Sequence, residues 1–130
     1  MKYVILIHSN PDPWGHPTIR YTAEGQAMPE EWHEESGRQF DALLRELNAS
    51  GEFVTAEALA APATSTIYTW TPQGALATDG PYAEAKEQLA GFFLLDCATP
   101  ERAREIAAQF AGPGDTVELR PAMWDDATDT

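Results

Sequence analysis

The sequence predicts an α+β fold of the ferredoxin-like, split βαβ class with an added hairpin, and two observations support this prediction. Periodic apolar patterns follow one another in the order strand, helix, strand, hairpin, strand, helix, strand, which is the order of a split βαβ unit with one insertion. The most apolar run, residues 89–97, lacks the alternation of a half-exposed strand. It therefore predicts the central strand of the sheet, with both faces buried.

Short runs of β-branched and aromatic residues predict the other strands. One run alternates so that Tyr68 and Trp70 share a face, and the Pro-Gln-Gly sequence after it predicts a turn that makes a hairpin. The strands predicted besides the central one cover residues 3–7, 52–56, 65–71, 75–78 and 116–120.

Two amphipathic helices are predicted. The first opens at Pro29, where a missing N–H does no harm, and ends at Gly51, a typical left-handed cap. Helical spacing places His33 on the inward face of its first turn, and Gly37 one turn later leaves room beside that histidine. The second helix is predicted to begin after the N-cap residue Thr99.

The chain is predicted to form a single domain over residues 1–124, followed by a flexible acidic tail at 125–130. Residues 11–28 are rich in proline and glycine and show no clear period, which predicts a long loop. Trp14 and Tyr21 give this loop apolar surface. Both a lid over a pocket and a loop packed on a partner subunit fit that pattern.

Composition excludes several classes of partner. Acidic residues outnumber basic ones 21 to 8 in the 130 residues, and the net charge of −13 disfavours nucleic acid and anionic membrane surfaces. The single cysteine, Cys97, cannot form an internal disulfide and is expected to be a small core residue. The apolar run at the N-terminus stops at His8, too early for a signal peptide. These features predict a cytoplasmic protein.

A rigid corner precedes the central strand. Asp79, Gly80 and Pro81 favour a tight turn, because Asp bonds its own backbone, Gly accepts unusual dihedrals and Pro fixes φ. Lys86 follows one short segment later. A carboxylate and an ammonium group beside a buried strand indicate a site, without naming its reaction.

The same stretch resembles the signature of the DGPF family, a branch of the YCII-related proteins. The resemblance is carried by residues 79–82, 84, 86–89 and 91–93, and Tyr82 stands where the family usually has Phe. Looser similarity at residues 2–7 and 117–121 extends it over most of the chain apart from residues 11–28. The resemblance implies a dimeric α+β barrel with a pocket between the first helix and the sheet.

The apolar pattern itself also predicts a homodimer. Two helices cover one face of the sheet, and the other face is expected to carry aromatic and aliphatic side chains with nothing to cover them. A second copy packed sheet to sheet would cover them. The residues expected on that face are Tyr68 or Trp70, Phe92 or Phe93, and Leu119 or its neighbours.

No metal or cofactor is predicted. The histidines His8, His16 and His33 lack the spacing of a metal site, and the sequence has no phosphate-binding glycine loop. An inward histidine oriented by a carboxylate can move protons near neutral pH, because its free pKa is ~6.5. The resemblance points the same way, since the YCII-related family is described with a histidine and an aspartate facing one cleft. His33 and Asp79 are the residues it implies here, although each also fits a structural role.

Two functions remain open. One is a cofactor-free lyase or isomerase of small aromatic or enolic metabolites, in keeping with a relative similar to a dehydrochlorinase of a hydroxyquinone. In it His33 would be the base, Asp79 its orienting group, and Lys86 or Arg20 the partner of a negative charge on the substrate. The other residues expected around the substrate are Tyr82, as a wall, with Gly80 and Pro81. The second function is a non-catalytic small-ligand-binding or regulatory module, because DGPF-type proteins resemble accessory partners of alternative sigma factors.

Overall fold

The computed structural model describes residues 1–83 and 85–124, so the tail predicted at 125–130 lies outside the described residues. The strands are β1 (Lys2–Ser9), β2 (Phe53–Ala58), β3 (Thr66–Thr71), β4 (Gly74–Asp79), β5 (Gln88–Asp96) and β6 (Asp115–Pro121). The helices are α1 (Ala23–Gln26), α2 (Glu30–Ser50) and α3 (Pro100–Phe110), with 3-10 turns at Thr18–Arg20 and Pro62–Thr64. This mixture of helices and antiparallel strands is an α+β fold, as predicted.

Four strands form the main sheet in the order β2-β5-β1-β6, and each neighbouring pair is antiparallel. β5 pairs with β1 on one side and β2 on the other, so the most apolar run does form an interior strand. Leu95 on β5 pairs with Tyr3 on β1, and both side chains are buried.

The ends of the two long helices follow the local sequence. Gly51 ends α2 with φ 80°, the left-handed cap predicted for it. The side chain of Thr99 accepts a hydrogen bond from the backbone N–H of Arg102 and caps α3. Both caps were predicted and both are confirmed.

The core lies between the helices and one face of the main sheet. Its buried members come mainly from β1, β5, α2 and α3, and the largest include Tyr3, Ile5, Leu43, Leu47, Leu95, Ile106 and Phe110. Phe93 and Leu119 pack against this core rather than on the other face. By the strand register, the face turned away from the helices carries Val4, Leu6, Phe92 and Leu94, all half-buried in the single chain.

The hairpin lies outside the main sheet. β3 and β4 pair only with each other, forming a two-stranded sheet within the described residues. Tyr68 and Trp70 are 70 % and 79 % exposed, so the expectation that one of them lies on the free face of the main sheet is wrong. Both sides of β5 are taken by β1 and β2, so the hairpin does not pair with the strand that follows it in sequence. We call residues 59–79 the arm.

Residues 16–26 are folded, contrary to the irregular loop predicted over 11–28. Thr22 accepts a hydrogen bond from the N–H of Gly25 and donates one to the carbonyl of Pro113 at 2.9 Å. A Cβ on Gly25 would stand 1.5 Å from the carbonyl oxygen of Ile19. This close packing within the segment requires glycine there, and the bond from Thr22 to Pro113 joins the segment to the loop before β6.

Among the described residues, no helix is both long enough and apolar enough to cross a membrane.

Candidate functional site

A cleft of about 890 Å³ lies between α2 and the main sheet, and residues 16–20 and the end of α3 also line it. The rings of Phe40, Phe93 and Phe110 line it and meet edge to face, with centroids 4.6–6.1 Å apart. Ala58, Ala90 and Gly91 form part of the sheet side. A deep, largely apolar cleft with a few polar groups is the usual form of a small-molecule site.

His33 borders this cleft and is 7 % exposed. Its Nε2 lies 2.8 Å from the carbonyl oxygen of Gly25. A carbonyl can only accept, so Nε2 carries the proton and Nδ1 of the neutral ring holds a lone pair. Nδ1 is buried and has no hydrogen-bond partner among the described residues. Such a nitrogen can accept a hydrogen bond or a proton from a ligand.

Asp115 is a second polar group in the cleft, and sequence reasoning missed it. The hydroxyls of Ser9 and Thr18 each donate to one of its carboxylate oxygens at 2.6 Å. Burial raises the pKa of Asp115, against the opposing effect of these two hydroxyls. A titratable group perturbed by burial inside a cleft is a candidate for proton transfer. No sequence pattern indicates it, because Ser9, Thr18 and Asp115 meet only in the folded chain.

The raised pKa has a consequence for stability against pH. The folded state binds the Asp115 proton more tightly than the unfolded state, so this carboxyl stabilises the fold below its ordinary value of about 3.8, and the contribution is lost as pH rises through the folded pKa. We expect the unfolding free energy of wild type, measured relative to Asp115→Asn by urea titration, to fall as pH rises from 3.5 to 7. The comparison with Asp115→Asn is needed because other groups also change the free energy of unfolding with pH. The pKa of Glu52 is lowered, mainly by its bond to Arg102, so Glu52 makes both proteins more stable as pH rises, and this contribution cancels in the difference. A relative stability that rises with pH would contradict the burial effect.

Arg20 also lines the cleft, but it is already paired. Its Nη1 donates to both carboxylate oxygens of Glu30 at 3.1 Å. His16 is exposed at the cleft edge, with Nε2 2.8 Å from the carbonyl oxygen of Leu59. Trp14 donates to the same carbonyl. Residues 14–16 are thus bonded to the base of the arm.

The motif residues lie elsewhere in the single chain. Asp79 ends β4 in an exposed position, and Tyr82 is 86 % exposed. Lys86 borders a separate cavity of about 130 Å³ with Glu24. Neither these residues nor Gly80 and Pro81 line the cleft, and His33 is oriented by the Gly25 carbonyl. The structure therefore brings His33 and Arg20 to one cleft and does not bring Asp79 there.

The corner itself has a structural reason for its glycine. The N–H of Gly80 donates to the carbonyl of Ser65 at 2.8 Å. A Cβ on Gly80 would stand 1.8 Å from the Ser65 hydroxyl oxygen. Gly80 at this corner therefore closes the base of the arm against Ser65.

Metal and thiol chemistry receive no support from the described residues. Within them, no group of three His, Cys, Asp or Glu side chains is arranged to hold a metal ion. Cys97 is 1 % exposed, and burial raises the pKa of its thiol. This fits the core role predicted for it.

Comparison with known proteins gives a family. The family model of the YCII-related domain matches residues 1–117 of this chain. An uncharacterised protein of Rhizobium meliloti (strain 1021) is 44 % identical over 46 residues, a match that spans 33 % of this chain and 37 % of that protein. The Rhizobium protein is similar to this chain over about a third of its own length, whereas the family model covers nearly the whole of this chain. The chain therefore belongs to the YCII-related family.

Proposed function

We propose that this protein binds a small, ring-bearing molecule in the cleft between α2 and the main sheet. One observation carries the proposal: the buried His33 borders a cleft of about 890 Å³, and its Nδ1 has no hydrogen-bond partner in the described part of the chain. A buried polar atom without a partner is costly, so it favours a ligand that donates a hydrogen bond. The aromatic rings of the cleft supply surface for the ring of such a ligand.

The catalytic form of this proposal is a cofactor-free lyase or isomerase of small aromatic or enolic metabolites. Nδ1 of His33 would take the proton, and the Gly25 carbonyl would stabilise the imidazolium through Nε2. Asp115 is a second group that can exchange a proton in the same cleft. Enzyme-catalysed exchange of deuterium into the acidic carbon of tetralone, a neutral ring ketone, would support this form.

Asp79 has no orienting role toward His33 within one chain, because the Gly25 carbonyl occupies that place. The motif residues do not line the cleft, so the proposal gives them no contact with the ligand. They are Asp79, Gly80, Pro81, Tyr82 and Lys86.

A non-catalytic binding or regulatory module is the second candidate, and the arm favours it. Residues 59–78 contain no charged residue in a chain of net charge −13. Tyr68, Trp70 and Leu76 are exposed there. An uncharged, aromatic surface is typical of protein contact. A cytoplasmic location remains our prediction for either function.

Titration calorimetry with naphthylmethanol tests the binding proposal. We expect one site per chain with a dissociation constant in the micromolar to millimolar range, typical of a ligand of this size. Nuclear magnetic resonance should show the His33 ring signals moving on binding. Absence of binding at millimolar probe, or binding that leaves His33 unmoved, would contradict the proposal.

The strand order β2-β5-β1-β6 supports the split βαβ, ferredoxin-like arrangement that we propose for the main sheet. We further propose a homodimer, the dimeric α+β barrel, in which the free faces of two sheets meet. The half-buried Val4, Leu6, Phe92 and Leu94 would form the centre of that interface. A second copy presents the same apolar side chains and so covers them.

Light scattering at micromolar concentration is expected to give twice the chain mass of 14.3 kDa. Leu6→Glu places a charge at the centre of the proposed interface and should yield monomers. Trp70→Ser, on the exposed arm, is the control and should leave the mass unchanged. Dissociation by Trp70→Ser but not by Leu6→Glu would place the interface on the arm and overturn the sheet-to-sheet arrangement.

A further inference from the structure

The charges around the cleft limit the ligand it can take. Among the described residues that line it, Asp41, Glu57 and Asp115 are acidic and Arg20 is a cation. The strand register puts the side chain of Glu57 on the opposite face of the sheet, beside that of Phe92, which leaves Asp41 and Asp115 as the carboxylates on the cleft side. Carboxylates thus outnumber guanidinium groups within the cleft.

Arg20, the guanidinium group at the cleft, can bind an anion only if it gives up its ion pair with Glu30. Arg20 donates to both oxygens of Glu30, and a ligand carboxylate would have to displace that pair. Lys86, the other cation expected to hold a negative substrate, lies at a separate cavity with Glu24 and Glu87. Asp115 is half-buried, so low-dielectric walls strengthen its field inside the cleft, whereas Asp41 is exposed and water screens its field.

The apolar part of the cleft favours a ligand that contains a ring. The three phenylalanine rings that line it form one edge-to-face cluster. Edges and faces arranged in this way accept a further ring by the same contacts. His33 is nine-tenths buried, and its Nδ1 has no hydrogen-bond partner among the described residues. In the neutral ring this nitrogen accepts from a hydroxyl or ammonium group and has no hydrogen to donate to a carboxylate.

We infer that the cleft selects uncharged or cationic ring compounds and rejects carboxylates of the same shape. This inference deepens the proposed ligand-binding function and depends on it. It differs from the prediction made from the sequence, in which Arg20 or Lys86 binds a negative charge on the substrate. An amine or alcohol on a fused or single ring is the class of ligand that fits.

Three probes of one shape test the inference: naphthylmethylamine, naphthylmethanol and naphthoate, each titrated into the intact chain at pH 7. We expect the amine and the alcohol to bind at least tenfold more tightly than the acid. Equal affinities, or tightest binding of naphthoate, would overturn the charge selectivity while leaving the ligand-binding function intact. Absence of binding by all three would instead overturn the ligand-binding function.

A pair of variants locates the source of the selectivity. Asp41→Asn removes a carboxylate at the cleft, and Glu34→Gln removes an exposed one from the same helix, outside the cleft. We expect Asp41→Asn to reduce the ratio of amine to acid affinity about two- to fivefold, the range of an exposed charge pair, with Glu34→Gln unchanged. If both variants reduce the ratio equally, the preference reflects the net charge of the chain and the inference fails.

Discussion

Gly25→Ala is expected to lower the free energy of unfolding by about 1–3 kcal/mol or more, the cost of overpacking a well-packed site. The new Cβ would stand 1.5 Å from the carbonyl oxygen of Ile19, and a backbone atom cannot move aside as a flexible side chain can. Residues 16–26 would have to shift, and with them the carbonyl that orients His33. Thermal and urea unfolding would measure the loss.

Gly37→Ala is the matched control, with the opposite sign. Gly37 lies inside α2, and a Cβ there meets no atom within 4 Å. Alanine stabilises a helix interior relative to glycine by about 0.5–1 kcal/mol, so this variant should unfold later than wild type. If Gly25→Ala proved as stable as Gly37→Ala, the close contact between Gly25 and Ile19 within residues 16–26 would be wrong.

His33→Gln is expected to weaken binding of naphthylmethanol at least tenfold while the fold is retained. The glutamine amide can reach the place of Nε2 and donate to the Gly25 carbonyl, but it offers nothing in the place of Nδ1. A tenfold loss corresponds to about 1.4 kcal/mol, within the range of one buried hydrogen bond. His33→Ala is less informative, because His33 is buried and its removal also leaves a cavity.

His8→Gln is the control for the loss of an imidazole as such. His8 lies on β1 outside the cleft, with Nε2 3.1 Å from a carboxylate oxygen of Glu118. Titration calorimetry should give this variant the affinity of wild type. If His33→Gln also bound like wild type, His33 would be a structural histidine of the core edge, and the free nitrogen would carry no function.

The sequence predicted the elements that depend on neighbours along the chain. Periodicity identified both long helices and the inward position of His33, because residues three and four apart share a helix face. The caps at Gly51 and Thr99 follow from one or two residues each. The apolar run of β5 predicted an interior strand, since a strand covered on both sides loses its alternation.

The position of the arm could not be predicted from local sequence patterns. The Pro-Gln-Gly turn correctly predicted the pairing of β3 with β4, and alternation put Tyr68 and Trp70 on one face. It could not tell which strand the hairpin would lie beside, because pairing between distant strands is decided by the whole sheet. The same holds for residues 11–28, whose prolines and glycines suggested an irregular loop. Their order comes from contacts with distant residues such as Pro113 and Asp115.

The family and the α+β class were thus determined by the sequence alone, through one motif and the order of its periodic segments. The composition of the cleft was decided only by the tertiary structure. Asp115 meets Ser9 and Thr18 across about a hundred residues of chain, and Gly25 replaces Asp79 as the group that orients His33. Hydrogen bonds and burial that join such distant positions depend on how helices and loops pack on the sheet, and no local pattern encodes that packing.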